Sequence, residues 1–158
     1  MRDMMKPMFR FAVETDTALI LQFIRKLAEY EKMLDQVVAD EDLLREQLFE
    51  KRQAEVIFAL ENGKEVGFAL FFHNFSTFLG RSGLYLEDLF VLPEHRGKGY
   101  ATAAVVELIR LARESGQYDS LLLGCAPENH DAEHIYRKLG FIPTGVVEHG
   151  EVEFKLML

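Results

Sequence analysis

Apolar residues recur along this chain with two periods, every second residue in some stretches and every third or fourth in others. The clearest change of period lies between Leu84 and Gly116. From Leu84 to Val91 the chain is aliphatic and aromatic apart from Glu87 and Asp88, the pattern of a buried strand. Pro93 stops it. After Arg96-Gly97-Lys98-Gly99 the apolar positions are Ala101, Ala104, Val105, Leu108, Leu111 and Ala112, one face of a helix that Gly116 can end.

The remaining stretches follow the same two rules. Met8 to Val13 reads as a first strand, and Asp16 as the cap of a helix carrying Ile20, Phe23, Ile24, Leu27 and Ala28. Asp40 caps a short second helix over residues 41–50. Ala54 to Leu60 alternates with Val56, Phe58 and Leu60 inward. Asn62-Gly63, which accepts the positive φ of a tight turn, then leads into Val66, Phe68, Leu70 and Phe72. Asn74 to Gly83 reads as a loop exposing Phe75, Phe78 and Leu79, either as a substrate wall or as cover for the core. Ser120 to Ala126 is a second buried strand, ended by Pro127. Asn129 opens a helix with Ala132, Ile135, Tyr136 and Leu139 on one face and Gly140 past its end. Phe141-Ile142 begins a further strand, and Val152, Phe154, Leu156 and Leu158 alternate through the last. Helices alternating with strands around a mixed sheet give an α/β fold, expected as one domain over residues 1–158.

Composition narrows the chemistry. A formal charge of −8 argues against binding nucleic acid along its phosphates and suits a cationic substrate. No run is apolar and long enough for a membrane span or signal peptide, and a single cysteine excludes an internal disulfide framework. Both point to a protein of the reducing cytoplasm, without a membrane partner.

A strand that passes through a glycine-rich turn into a helix N-terminus builds an anion cradle. A P-loop would need Ser or Thr after Lys98, where Gly99 stands, and a dinucleotide fingerprint would need glycine where Thr102 stands. What remains is R-x-x-G-x-A, formed by Arg96, Gly99 and Ala101. With the downstream series Asn129, Ala132, Tyr136, Gly140 and Phe141, it resembles the two motifs of the GCN5-related N-acetyltransferase (GNAT) family. Within that family the chain is similar to the diamine (spermidine/spermine-type) N-acetyltransferases, through KLAEYEKMLDQV (Lys26 to Val37), DEDLL (Asp40 to Leu44), GLYLEDLFVLPEHRGKG (Gly83 to Gly99) and IYRKLG (Ile135 to Gly140). It departs where those enzymes carry an aspartate and a tryptophan before the central strand, here Ser76 to Phe78. It departs again at their tryptophan-containing C-terminal hairpin, here Glu148-His149-Gly150-Glu151-Val152, and it has no tryptophan at all. These are substrate-side positions, so the departures bear on which amine is used.

The resemblance implies a mostly antiparallel sheet with two splayed parallel strands, acetyl-CoA as cosubstrate, a small-molecule amine as acceptor, and a homodimer. It implies that Arg96, Gly97, Lys98, Gly99, Tyr100 and Ala101 hold the pyrophosphate, and that the backbone of Leu89, Phe90 and Val91 holds the pantetheine and thioester. An alkylammonium must lose a proton before it attacks, and Glu87, a carboxylate in an apolar strand, is the candidate base, directly or through water. Asp88 points to the opposite face of a regular strand. Both could instead be capped by backbone or an arginine. Tyr136 corresponds to the family's proton donor to sulfur, or it simply packs. Asn129 either anchors pantetheine or caps its helix. Glu31, Asp35, Glu87 and Asp88 fall, by resemblance, around one amine groove. The substrate is then a polyamine, a thialysine-like amino acid or a related amine. The alternative is a non-catalytic acyl-CoA-binding or sensing module on the same fold. His130 and His134 have metal-ligand spacing but no obvious third ligand, and no metal is expected. Cys125, in an apolar strand, reads as a small hydrophobe.

Overall fold

The computed structural model describes residues 7–158. The alternating stretches become seven strands: β1 (Met8–Phe11), β2 (Glu55–Glu61), β3 (Lys64–Ser76), β4 (Arg81–Val91), β5 (Tyr118–Cys125), β6 (Ile142–Glu148) and β7 (Glu151–Met157). They form one sheet in the order β1-β2-β3-β4-β5-β7-β6. β1–β2, β5–β7 and β6–β7 pair antiparallel, whereas β4 and β5 run parallel. The three- and four-spaced stretches become α1 (Thr17–Tyr30), α2 (Glu41–Arg45), α3 (Tyr100–Ser115) and α4 (His130–Lys138). This is the expected mixed α/β fold.

The chain forms two compact units. The first runs up to Leu70 and takes in Asp88–Ala104; the second comprises Phe71–Glu87 and Val105–Leu158. In the first, Phe23 of α1 sits between Phe58 of β2 and Phe68 of β3, with ring centroids 5.9 and 5.4 Å away, and Ile20, Leu48, Val56 and Phe90 complete the cluster. A smaller cluster joins Ala59, Val66, Val91 and Tyr100. Val56, Ile57, Phe58 and Ala59 are all buried, so β2 is covered on both faces and its alternation in sequence understated its burial. In the second unit Leu121 and Leu123 of β5, Leu108 of α3, Phe141 and Phe154 are buried.

Several elements differ from the sequence reading. The first strand ends at Phe11. Asp16 does not cap α1 with its side chain. It accepts the Val13 N–H at 2.7 Å and both guanidinium nitrogens of Arg10, at 2.8 and 3.0 Å, because Arg10 also reaches Glu65 and lies over Phe58. Asp40 does cap α2, accepting from the Leu43 N–H at 2.8 Å, but the helix loosens into a π turn at Glu46–Glu50. The largest difference is at residues 74–83. β3 and β4 continue into that stretch and leave only Thr77–Gly80 as a turn, held by Gly80 N–H donating to Ser76 O and by Gly83 N–H donating to Asn74 Oδ1. Phe75, Phe78 and Leu79 are exposed there, as expected. The Asn62-Gly63 turn behaves as read, with φ of 52° and 80°.

Candidate active site

Within the first unit, β4 ends at Val91, a 3-10 turn follows at Pro93–His95, and α3 starts at Tyr100. Gly97 and Gly99 between them have φ of 78° and 86°, a conformation that strains any residue with a Cβ. A Cβ at either glycine would meet nothing within 4 Å, so the loop opens outward. The Ala103 N–H donates to Gly99 O at 3.0 Å as the helix's first turn closes. The N–H groups of Gly99, Tyr100, Ala101 and Thr102 therefore have no acceptor within the helix. Main-chain donors, an open face and the positive end of a 16-residue helix fit a diphosphate.

The two loop cations are engaged with the protein itself. Arg96 donates its Nε–H to Val91 O at 2.9 Å, and its guanidinium lies 4.4 Å from the ring centre of Tyr30 and 5.1 Å from that of Phe90. Lys98 Nζ sits 3.2 Å from Glu61 Oε1, which also accepts from the Tyr100 hydroxyl at 2.7 Å. Both side chains remain exposed, so the Nη–H groups of Arg96 and the ammonium of Lys98 stand as donors beside the backbone ones. Leu89, Phe90 and Val91 lie along the end of β4, with Phe90 and Val91 buried, and the Phe90 carbonyl oxygen lies only 2.8 Å from where a Cβ on Gly67 would be. Glu31 and Asp35 are exposed just past α1, where Lys32 takes a φ of 60° and Met33 N–H closes the helix onto Ala28 O. Glu31 is thereby next in chain to Tyr30, the ring under Arg96. Asp88 is half-buried on the strand face it shares with the buried Leu86 and Phe90.

In the second unit the parallel ladder runs from Ser82↔Tyr118 to Leu86↔Leu123, while β4 itself continues to Val91. Glu87, the candidate base, is exposed at the point where that ladder ends. It shares a face of β4 with Tyr85, whose ring stacks on Phe72 at 5.5 Å. Burial raises the pKa of the Tyr85 phenol first, followed by the negative charges of Glu87, Glu151, Glu153 and Glu148. Four carboxylates from β4, β6 and β7 therefore contribute negative charge near one phenol. Glu151 is fitted closely: a Cβ on Gly124 of β5 would lie 2.6 Å from its Oε1.

Tyr136 packs against Phe141 and Phe154, with ring centroids 5.9 and 6.4 Å apart. Burial, then Cys125 and Glu151, pushes its phenol up to about 12. Asn129 caps α4, its Oδ1 accepting the Ala132 N–H at 3.2 Å, which leaves the side-chain amide N–H groups as donors. Cys125 is buried, and burial raises its thiol pKa, so little of it is thiolate at neutral pH. Among the described residues no three His, Cys, Asp or Glu side chains group as metal ligands, and no helix is long and apolar enough to cross a membrane.

With this geometry in hand, comparison with known proteins is decisive. The profile of the acetyltransferase (GNAT) family matches residues 21–141. The chain belongs to the GNAT acetyltransferase family. It is 36% identical to a thialysine N-epsilon-acetyltransferase of Bos taurus over 142 residues, 84% of this chain and 82% of that one. An acetyltransferase of the GNAT family from Streptococcus pneumoniae superposes with a TM-score of 0.79 at 18% identity, over 97% of this chain and all of the other. A Salmonella typhimurium protein described as an acetyltransferase, solved with its cofactor acetyl-CoA, superposes with a TM-score of 0.75 at 25% identity, over 96% and 94%. The chain is an N-acetyltransferase of this family.

Glu61 and Glu153 escaped the sequence reading, which places Glu148 and Glu151 in the substrate-side C-terminal hairpin only by resemblance. Glu61 gave no signal, because a charged residue before an Asn-Gly turn is ordinary. The close approach of Glu151 to β5 had one: Gly124 interrupts the apolar run of β5, and glycine inside a strand often marks close approach of another group.

Proposed function

We propose that this GNAT enzyme moves the acetyl group of acetyl-CoA to the primary amine of a small substrate carrying a second cationic centre, a thialysine-like amino acid or a short diamine. The observation that carries the cofactor assignment is the cradle of Gly97 and Gly99 at positive φ opening onto the N-terminus of α3. The amine assignment is supported by the glutamates around Tyr85 and by the likeness to the bovine thialysine enzyme.

In this reading the N–H groups from Gly99 to Thr102 bind the diphosphate, and backbone groups of Leu89, Phe90 and Val91 hold the pantetheine amide and thioester carbonyl. Asn129 donates its side-chain amide to the pantetheine arm. The bound cosubstrate supplies an activated acetyl thioester. Glu87 accepts the ammonium proton, directly or through water, so that a neutral amine attacks. Tyr136 meets the departing sulfur. Full transfer from a phenol at about 12 to a thiolate with the ordinary thiol pKa of ~8.5 is uphill by ~5 kcal/mol. Tyr136 therefore donates a hydrogen bond to the sulfur as its charge develops, and water completes the protonation. Glu31, Asp35 and Asp88 add to the acidic charge that draws cations to the enzyme. The absence of tryptophan weakens the grip on long polyamines relative to the diamine enzymes.

The test is thiol release measured with acetyl-CoA and a panel of putrescine, spermidine, thialysine and a monoamine. Thialysine and putrescine are expected to give higher kcat/KM than spermidine or the monoamine. Tight acetyl-CoA binding with no thiol released by any amine would instead establish a sensing module.

A further inference from the structure

We infer that Glu61 is a positioning residue for the phosphate-binding loop, a role that rests on the reading of that loop as the acetyl-CoA cradle. Glu61 is the last residue of β2, just before the Asn62-Gly63 turn. Its carboxylate divides three contacts between two oxygens. Oε1 accepts from the Tyr100 hydroxyl at 2.7 Å and from Lys98 Nζ at 3.2 Å. Oε2 lies 3.3 Å from His95 Nδ1, an atom sealed from solvent that makes no hydrogen bond of good geometry.

The spacing of these partners is what gives the carboxylate its purpose. Residues 95, 98 and 100 bracket Gly97 and Gly99, the two positions that give the loop its shape. Glycines at positive φ carry a large entropy cost on ordering, and neither glycine has a side chain to pack. One acceptor holding the chain on both sides of each glycine offsets that cost before ligand arrives. Tyr100 is the strongest of the three links. Its ring is 8% exposed in the cluster with Ala59, Val66 and Val91, and its backbone N–H is among the cradle donors. Its phenol is pushed up to about 12 by burial and by Glu61, so it stays a donor across the working pH range. Glu61 also holds Lys98 beside the loop, at 3.2 Å.

A carboxylate beside a phosphate site would by charge alone weaken anion binding, so position and charge predict opposite signs. Acetyl-CoA affinity is measured by calorimetry for the wild type, Glu61→Ala and Glu61→Gln, together with amide exchange of residues 95–101 in the ligand-free proteins. Glu61→Ala should raise the acetyl-CoA Kd about tenfold, as for a lost hydrogen bond to a charged group, and speed exchange in that segment. kcat at saturating acetyl-CoA and KM for the amine should stay within about twofold. Glu61→Gln, whose amide oxygen still accepts from Tyr100 and Lys98, should bind at least as tightly as the wild type. Tighter binding by Glu61→Ala, or unchanged exchange in the loop, overturns the inference. If the wild type does not bind acetyl-CoA, the cofactor reading fails, while the exchange comparison still decides whether Glu61 orders the loop.

Discussion

The phosphate loop of the first unit and the acidic face of the second are built in opposite ways. The loop presents main-chain N–H groups at the start of a helix, and its conspicuous cations, Arg96 and Lys98, are tethered to Val91, Tyr30, Phe90 and Glu61 while staying exposed. The acidic face consists of side chains alone, Glu87, Glu148, Glu151 and Glu153 around Tyr85, brought together from three strands. Backbone recognition suits a cosubstrate whose diphosphate is always the same. Side-chain recognition can be altered one residue at a time without moving the fold, which suits the half of the reaction that differs among relatives.

The sharpest break of this comparison is at Gly99. Proline fixes φ near −65°, where Gly99 stands at 86°, and it deletes one of the cradle N–H groups. Gly99→Pro should therefore weaken acetyl-CoA binding by about a hundredfold or more, with circular dichroism still showing a folded protein. Arg96→Glu should also weaken it, by loosening the loop from Val91 and Tyr30 and by adding repulsion. If calorimetry gives wild-type affinity for both, backbone recognition is not what the loop does.

A second test lies at Tyr136. Tyr136→Phe removes one oxygen and keeps the packing on Phe141 and Phe154, so acetyl-CoA affinity should hold while kcat falls about ten- to a hundredfold. The pH profile sharpens the result. Because burial places the phenol at about 12, the tyrosine stays protonated through the assay range, and any basic limb below about pH 10 should persist in Tyr136→Phe. An unchanged kcat at saturating amine would make Tyr136 a packing residue.

The same division explains what could be read from sequence. The strand–loop–helix unit from Leu84 to Gly116 was legible because its signals are local: an apolar run, Pro93, glycines two apart, then helical spacing. The structure keeps those boundaries within a few residues. Asn129 at the start of α4 was legible for the same reason. The Phe75–Leu79 region misled because a turn-like composition sat on two strands whose pairing, not propensity, extends them past the core. Asp16 misled because residues that precede the helix, Arg10 and the Val13 N–H, take its carboxylate in place of the helix end. The contacts of Glu61, and the grouping of Glu153 with the other glutamates near Tyr85, depend on register between strands far apart in sequence, such as Gly124↔Glu153, to which the glycine at 124 was the one local pointer.

The smallest expected effect tests the acidic face itself. Glu151 is the carboxylate that lies against β5, its Oε1 2.6 Å from where a Cβ on Gly124 would be. Its charge acts on both the Tyr85 and Tyr136 phenols, so we propose it as a contact for a substrate's second ammonium. Contacts between charges in partly screened surroundings contribute ~1 kcal/mol, so Glu151→Gln should lower kcat/KM for thialysine and putrescine about fivefold at low salt. The monoamine should change less than twofold, and added salt should shrink the difference between wild type and variant. Gly124→Ala provides an independent route to the same result. Its Cβ would displace the Glu151 carboxylate without altering any charge, and the selectivity for a dication should fall in parallel. Glu31→Gln and Asp35→Asn supply the contrast, because these exposed residues lie past the end of α1 in the other unit. If they abolish the preference for a second charge and Glu151→Gln does not, the amine is read from the α1 end, and the four glutamates around Tyr85 are not its recognition face.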